Sequence, residues 1–195
     1  MFREVPVLPV VVPLAAALLG TLLWRLHRTS RLSVPRAAVA LALAVYTGGV
    51  VANTVFPIFL DKPVISAPWS AHLALVPLRD YEVADAMMNI LVFVPLGMLV
   101  PLLTAKVSWW GAVAAAAAIS LAIEVSQLGT AHLLGGGHVA DVNDLVFNVV
   151  GGAVGFALVT VLARVPVVEA AVDRFRWYPG SRLRGERRLH GSRRH

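Results

Sequence analysis

The 195 residues hold no cysteine. Disulfides, thiolate-bound metals and thiol nucleophiles are excluded with it. Charge is scarce as well. Asp, Glu, Lys and Arg make up 14% of the chain, against about a quarter in an ordinary soluble domain. Apolar side chains stand in their place: 58% of residues are hydrophobic, and the mean hydropathy is +0.75. A chain so rich in apolar groups and so poor in charge has the bilayer as its solvent. The expected fold is all-α, one polytopic transmembrane helical bundle with most of its apolar surface turned to lipid. The net charge of +6 is uneven, nine of the 17 basic residues lying at Arg164 or later. Such clustering reports membrane topology before it reports nucleic acid, and no nucleic-acid partner is expected.

Five apolar runs approach the ~20 residues a span requires. The first, Val5 to Trp24, carries Pro6, Pro9 and Pro13 in its first half, where proline harms a helix least. A cleaved signal peptide would want positive charge before the run. Here Arg3 is offset by Glu4, and Arg25, Arg28, Arg31 and Arg36 follow the run. An uncleaved first span is therefore expected. Ala37 to Phe56 is the second span, closed by Pro57. Residues 58–84 form a polar connection in which HLALVPLRDY, 72–81, is semi-apolar and is expected to lie at the interface or re-enter shallowly. Met87 to Leu103 is the third span, with Pro95-Leu96-Gly97 in its middle; proline there frees a carbonyl that neighbouring helices must satisfy. Trp109-Trp110 takes the aromatic-belt position. Gly111 to Gln127 is the fourth span, and its small run Ala114 to Ala118 favours close packing. Leu145 to Leu162 is the fifth, entered by the loop Gly135-Gly136-Gly137 and carrying a Gly151/Gly155 contact pair. Residues 1–165 are thus read as the transmembrane domain. Residues 166–195 are read as a basic tail, disordered and solvated, which contacts anionic lipid.

The arginines orient the bundle. The first-to-second connection holds Arg25, Arg28, Arg31 and Arg36, the third-to-fourth holds Lys106, and the tail holds most of the rest. The opposite connections hold Lys62 and Arg79, and the fourth-to-fifth holds no Lys or Arg. By the positive-inside rule the N-terminus is outside and the C-terminus inside.

Polar residues gather at one depth of this frame, the outer leaflet. Ser120, Glu124 and Gln127 fall at i, i+4 and i+7 on the fourth span; Asp141, Asp144 and Asn148 fall at i, i+3 and i+7 at the start of the fifth. Asp85 and Asn89 stand one turn apart near the outer end of the third. A charged residue within a span costs at least ~2.5–3.5 kcal/mol and is by default a sign of a functional site. Bland roles compete with that reading. Asp141 and Asp144 suit the N-terminus of a helix, and Asn89, Gln127 and Asn148 suit interhelical hydrogen bonding. His132 and His138 fit the interface better than a metal site.

Three blocks then carry a family resemblance: LVPLR at 75–79; NILVFVPLGMLVPLL at 89–103; and SLAIEVSQ at 120–127 with HVADVNDLVFNVVGGAVG at 138–155. Together, within roughly residues 46–162, they resemble the VanZ-like family of bacterial membrane proteins. One position departs from the family pattern, His138 standing where an arginine is usual. If that arginine grips an anionic head group, an imidazole does so only when protonated or through a hydrogen bond. The resemblance implies an envelope location and an association with low-level resistance to teicoplanin-type lipoglycopeptides.

The expected site is an outer-leaflet polar pocket for an amphiphilic or lipid-linked molecule, lined by Asn89, Glu124, Gln127, His138, Asp141, Asp144 and Asn148. Two readings of its chemistry stay open. In an enzyme, Glu124 is the general acid or base, with a divalent cation, Mg²⁺ or Ca²⁺, on Asp141 and Asp144. Otherwise the pocket binds or occludes a ligand without reaction, or its carboxylates relay protons in a small transporter.

Overall fold

The computed structural model describes residues 2–61, 68–79, 81–134 and 138–178. Lys62, Asp80, the Gly135–Gly137 loop and residues 179–195 of the expected tail lie outside the described residues. Six helices are described: α1 Val7–Arg28, α2 Val34–Val55, α3 Val83–Leu103, α4 Trp109–Leu134, α5 Val142–Leu162 and α6 Pro166–Phe175. The first five are each long and apolar enough to cross a membrane, as the apolar runs require. At ~1.5 Å per residue, the 21 or 22 residues of α1, α2, α3 and α5 suffice for a ~30 Å hydrocarbon core. Leu8, Val12, Trp24, Val45 and Leu91 are all more than half exposed, a surface that suits lipid rather than water. The chain is a multi-pass membrane protein.

The helices run up and down, so two ends can be distinguished. At one end lie the α1–α2 and α3–α4 connections and α6; this is the arginine end. At the other lie the α2–α3 and α4–α5 connections, where β1 (Leu73–Ala74) pairs in parallel with β2 (Ala140–Asp141); this is the strand end. The segment 72–81, expected to lie at the interface or re-enter shallowly, supplies in its described residues the end of a 3-10 turn, Trp69–His72, and then β1. Two residues of strand are all that backbone pairing needs to dock this connection on the start of α5. Tyr81 then packs on Phe147, ring centroids 5.3 Å apart.

The interior is built on glycine. A Cβ placed on Gly151 or Gly155 would collide with the carbonyls of Ile90 and Val94 on α3, and one on Gly97 would collide with the Gly152 carbonyl on α5. The helices approach until backbone touches backbone, because nothing larger than hydrogen stands between them. Small residues are the usual means of such contact where lipid tails leave helices no hydrophobic drive to associate. On α4, Ala112, Ala116, Ser120 and Glu124 recur at four-residue spacing and all are buried. Ala116 faces Gly152, whose added Cβ would stand 2.6 Å from its own. From α3, Phe93 and Leu96 are buried with Ala116.

At the arginine end the expectation of a disordered tail over 166–195 is corrected for its described part. Residues 166–175 form α6, and the chain beyond it is docked. Trp177 is buried with Leu26, Val39, Ala40 and Leu99. Its backbone N–H donates to Leu102 at 2.8 Å, and its indole N–H to the Arg36 carbonyl at 3.3 Å. Arg36 Nε donates to the Arg176 carbonyl at 2.8 Å and Arg31 to the Trp177 carbonyl at 3.2 Å. Arg31 of the α1–α2 connection and Arg36 in the first turn of α2 therefore act as hydrogen-bond donors to backbone. Nothing local in the sequence announces this, since the partners lie about 140 residues away.

Candidate functional site

At the strand end the first turn of α5 organises its surroundings. Asp141 caps the helix, its carboxylate accepting the Asn143 N–H at 2.8 Å. The capping role read from the sequence is thus present. The backbone N–H of Asp141 in turn donates to Glu124 Oε2 at 2.9 Å. Glu124 is buried, 7% exposed, so this bond satisfies a carboxylate that has left water. Asn143, 2% exposed, accepts the Leu78 N–H at 2.6 Å and donates to the Arg79 carbonyl at 3.2 Å. It ties the α2–α3 connection to α5. Leu78 sits there with a φ of 58°, a left-handed conformation unusual for a leucine.

One turn deeper, Asn89 on α3 donates to the Asp144 carboxylate on α5. Two turns deeper, Asn148 donates to Ser120 on α4 at 3.0 Å, both side chains being buried. His138 Nε2 stands 3.0 Å from the Phe56 carbonyl oxygen at the end of α2. A carbonyl only accepts, so that nitrogen is the donor. The His138 ring is thus engaged with backbone. His132 lies apart, stacked on Trp69 at 3.8 Å between ring centroids. Asp85 stays exposed.

The expected pocket is two cavities. The larger, about 370 Å³, lies between α2, α3, α4 and α5 and is lined by Asn89, Gln127 and Asn148 together with Tyr46, Asn53 and Thr54 of α2. Its apolar walls are Val50, Val92, Phe93, Pro95 and Ile123. The Tyr46 hydroxyl, Gln127 Oε1 and Asn148 Oδ1 are buried without a hydrogen-bond partner among the described residues. Gly49, Asn53, Val92 and Pro95 on its rim are exposed. Asn53 stands in the last turn of α2, but Gly49, Val92 and Pro95 lie on the flanks of α2 and α3, so the cavity opens sideways between these helices. The smaller cavity, about 270 Å³, takes Glu124 and Asp141 among leucine and valine side chains of α4, β1 and α5. Asp144 and His138 line neither.

The seven residues singled out in the sequence are therefore neighbours at one end of the bundle but do not converge on one chamber. Asn89, Gln127 and Asn148 do. Glu124 and Asp141 share the other and are bonded to each other. Asp141 and Asp144, considered as a pair of hard oxygen ligands, spend carboxylate oxygens on different partners, Asn143 and Asn89. Among the described residues no three His, Asp or Glu side chains are grouped to hold a metal ion. Tyr46, Asn53 and Asn143 were missed. Tyr46 and Asn53 stand at i and i+7 of the second span, the same spacing that picked out the polar stripe of the fourth, and Asn143 lies inside the DVND run beside two chosen residues.

A family model described as VanZ/LLP1 matches residues 41–163. The chain belongs to the VanZ/LLP1 family. The matched stretch begins within α2 and ends just past α5, so it contains every wall of the larger cavity. It excludes α1 and the docked α6 segment. The VanZ-like resemblance read from the three sequence blocks is borne out. No curated protein matches the chain, and no solved structure does.

Proposed function

We propose that this VanZ/LLP1 protein resides in the bacterial cell membrane, N-terminus outside and C-terminus inside, and binds an amphiphilic or lipid-linked molecule in the cavity between α2 and α5. The observation that carries this reading is a laterally open cavity with three unpartnered buried polar atoms. Buried polar atoms without partners are costly in a protein interior, and more so at membrane depth. A ligand with a polar part for those atoms and an apolar part for Phe93, Ile123 and the lipid-facing rim would relieve the cost. The orientation rests on the arginines, and it puts the strand end, with this cavity, toward the outer leaflet. Residues beyond 178 carry the remaining arginines and in this topology meet the anionic inner leaflet.

Binding is favoured over catalysis because Glu124, the strongest candidate acid or base, faces the other cavity and already accepts the Asp141 N–H. A contribution to teicoplanin-type resistance would follow if the bound amphiphile were a lipoglycopeptide or the lipid-linked molecule it targets. The test uses Gly49, which lines the cavity and has nothing within 4 Å of an added Cβ. Protein released from native membranes should retain an amphiphile in native mass spectra, and Gly49→Trp should lose it while remaining folded. Equal retention by both proteins, or none by either, would overturn the reading.

A further inference from the structure

The chemistry of the cavity lining narrows what the cavity takes. Two of its unpartnered atoms, Gln127 Oε1 and Asn148 Oδ1, are amide oxygens, which only accept hydrogen bonds; the third, the Tyr46 hydroxyl, accepts or donates. Asn148 is 3% exposed, and its amide nitrogen is committed to Ser120, so its oxygen is fixed toward the cavity. The Asn89 amide nitrogen is likewise committed, to Asp144. Among the described residues no charged side chain lines the chamber. Asp144, which accepts from Asn89, and Glu124, which accepts from the Asp141 N–H, do not line it.

Each of these facts selects against a class of head group. A phosphate or carboxylate head meets no cation there to balance its charge, and two of the three unpartnered atoms are amide oxygens that cannot donate to it. An ammonium head would leave water for a chamber whose lining supplies no counter-charge, which disfavours an unpaired buried ion. A head that donates several uncharged O–H or N–H groups meets acceptors at each point. We infer that the cavity selects an uncharged polyhydroxyl or amide head, of the glycosyl kind, carried on an apolar chain that leaves between α2 and α3. Gly49, Val50, Val92 and Pro95 give that chain an apolar exit, with only Asn53 polar on the exposed rim. Tyr46 and Gln127 are the selecting residues. Asn148 selects as well but also holds α5 to α4, so it is a poor position for a test.

This inference rests on the amphiphile-binding reading above, and the experiment separates the two. The full chain in lipid nanodiscs is titrated with three single-chain amphiphiles of equal chain length, each below its micelle concentration: an alkyl glucoside, an alkyl phosphate and an alkyl trimethylammonium. Binding is followed by displacement of a fluorescent alkyl glycoside. The glucoside should bind at least about tenfold more tightly than either charged probe. Tyr46→Phe and Gln127→Leu should each weaken glucoside binding about fivefold, the worth of one hydrogen bond, with little effect on the charged probes and an unchanged melting temperature. Equal affinity for all three probes, or preference for a charged one, would overturn the head-group assignment while leaving an amphiphile site in place. Failure of every probe, the fluorescent glycoside included, to bind would overturn both.

Discussion

The Glu124 carboxylate and the Asp141 backbone N–H, 17 residues apart in sequence, meet at 2.9 Å across the α4–α5 connection. The bond fixes where α5 begins. It holds the residue that caps α5, and through β2 that residue also holds β1. A carboxylate within a span, which by composition alone points to chemistry, is here an acceptor for a backbone donor that would otherwise be orphaned. Glu124 is thus an anchor for the mouth of the bundle.

An anchor makes a specific demand on substitutions. Glu124→Gln keeps an oxygen at the same reach and should alter thermal stability little. Glu124→Leu leaves the Asp141 N–H buried without an acceptor and should cost about 1–3 kcal/mol. Thermal unfolding in a single detergent compares them. If the glutamine variant were as unstable as the leucine variant, a hydrogen-bond anchor would be the wrong description.

Asn143 makes a similar pair of bonds to the α2–α3 connection, with Leu78 held left-handed. Asn143→Ala should free the Leu78 amide, raising its hydrogen-exchange rate, and lower stability by about 1–3 kcal/mol. Leu78→Gly, which removes a Cβ where φ is positive, should leave stability unchanged or higher. A large loss on Leu78→Gly would mean the side chain, rather than the backbone turn, matters there.

The spans were legible in the sequence because length and apolarity are all that crossing demands. Their ends were not, because hydropathy does not see caps or backbone pairing. Thus α4 continues past Gln127 to Leu134, and α3 begins at Val83 rather than Met87. At the site, polarity inside apolar runs found Asn89, Gln127 and Asn148 correctly as neighbours. The stripe that joined Glu124 to Gln127 misled, since three residues advance a helix by only about 60° short of a full turn, enough to face different chambers. Asn53 escaped because an asparagine in the last turn of a span looks like an interface residue, and Tyr46 because one tyrosine in mid-span looks like core, until the opposite wall is known. The docking of Trp177 could not be read at all, as its partners are contributed by α1, α2 and α3.

Contact between α3 and α5 sets a different test. Gly155→Leu would drive a side chain into the Val94 carbonyl, and backbone cannot yield as a side-chain tip can. The variant should fail to accumulate in membranes or lose its thermal transition. Gly129→Leu, at a position with open space around an added Cβ, should express and melt like the parent. Normal folding of the Gly155 variant would contradict the close backbone approach.

Trp177 anchors the chain after α6 with its ring as well as its backbone. Truncating a large buried aromatic side chain costs about 3–5 kcal/mol. Trp177→Ala should therefore release the segment from the α1–α2 arginines and make Arg174 and Arg176 accessible to trypsin in the folded protein. Tyr178→Phe, losing only a 3.3 Å bond from Arg25, should leave the digestion pattern unchanged. Equal digestion of the parent and the Trp177 variant would place this contact among the dispensable ones.

The proposed orientation is open to direct measurement because the chain has no cysteine, so a single introduced thiol is the only one that reacts. Ser70 at the strand end and Ala105 at the arginine end are both exposed and lie on opposite sides of α3. With the N-terminus outside, a membrane-impermeant maleimide applied to intact cells should label Ser70→Cys and leave Ala105→Cys untouched until the membrane is opened. The reverse pattern would invert the bundle, move the α2–α5 cavity to the inner leaflet, and leave the arginine clusters outside against the positive-inside rule. Since a lipoglycopeptide added to cells reaches the membrane from outside, that single result decides whether the cavity faces the leaflet such a ligand meets first.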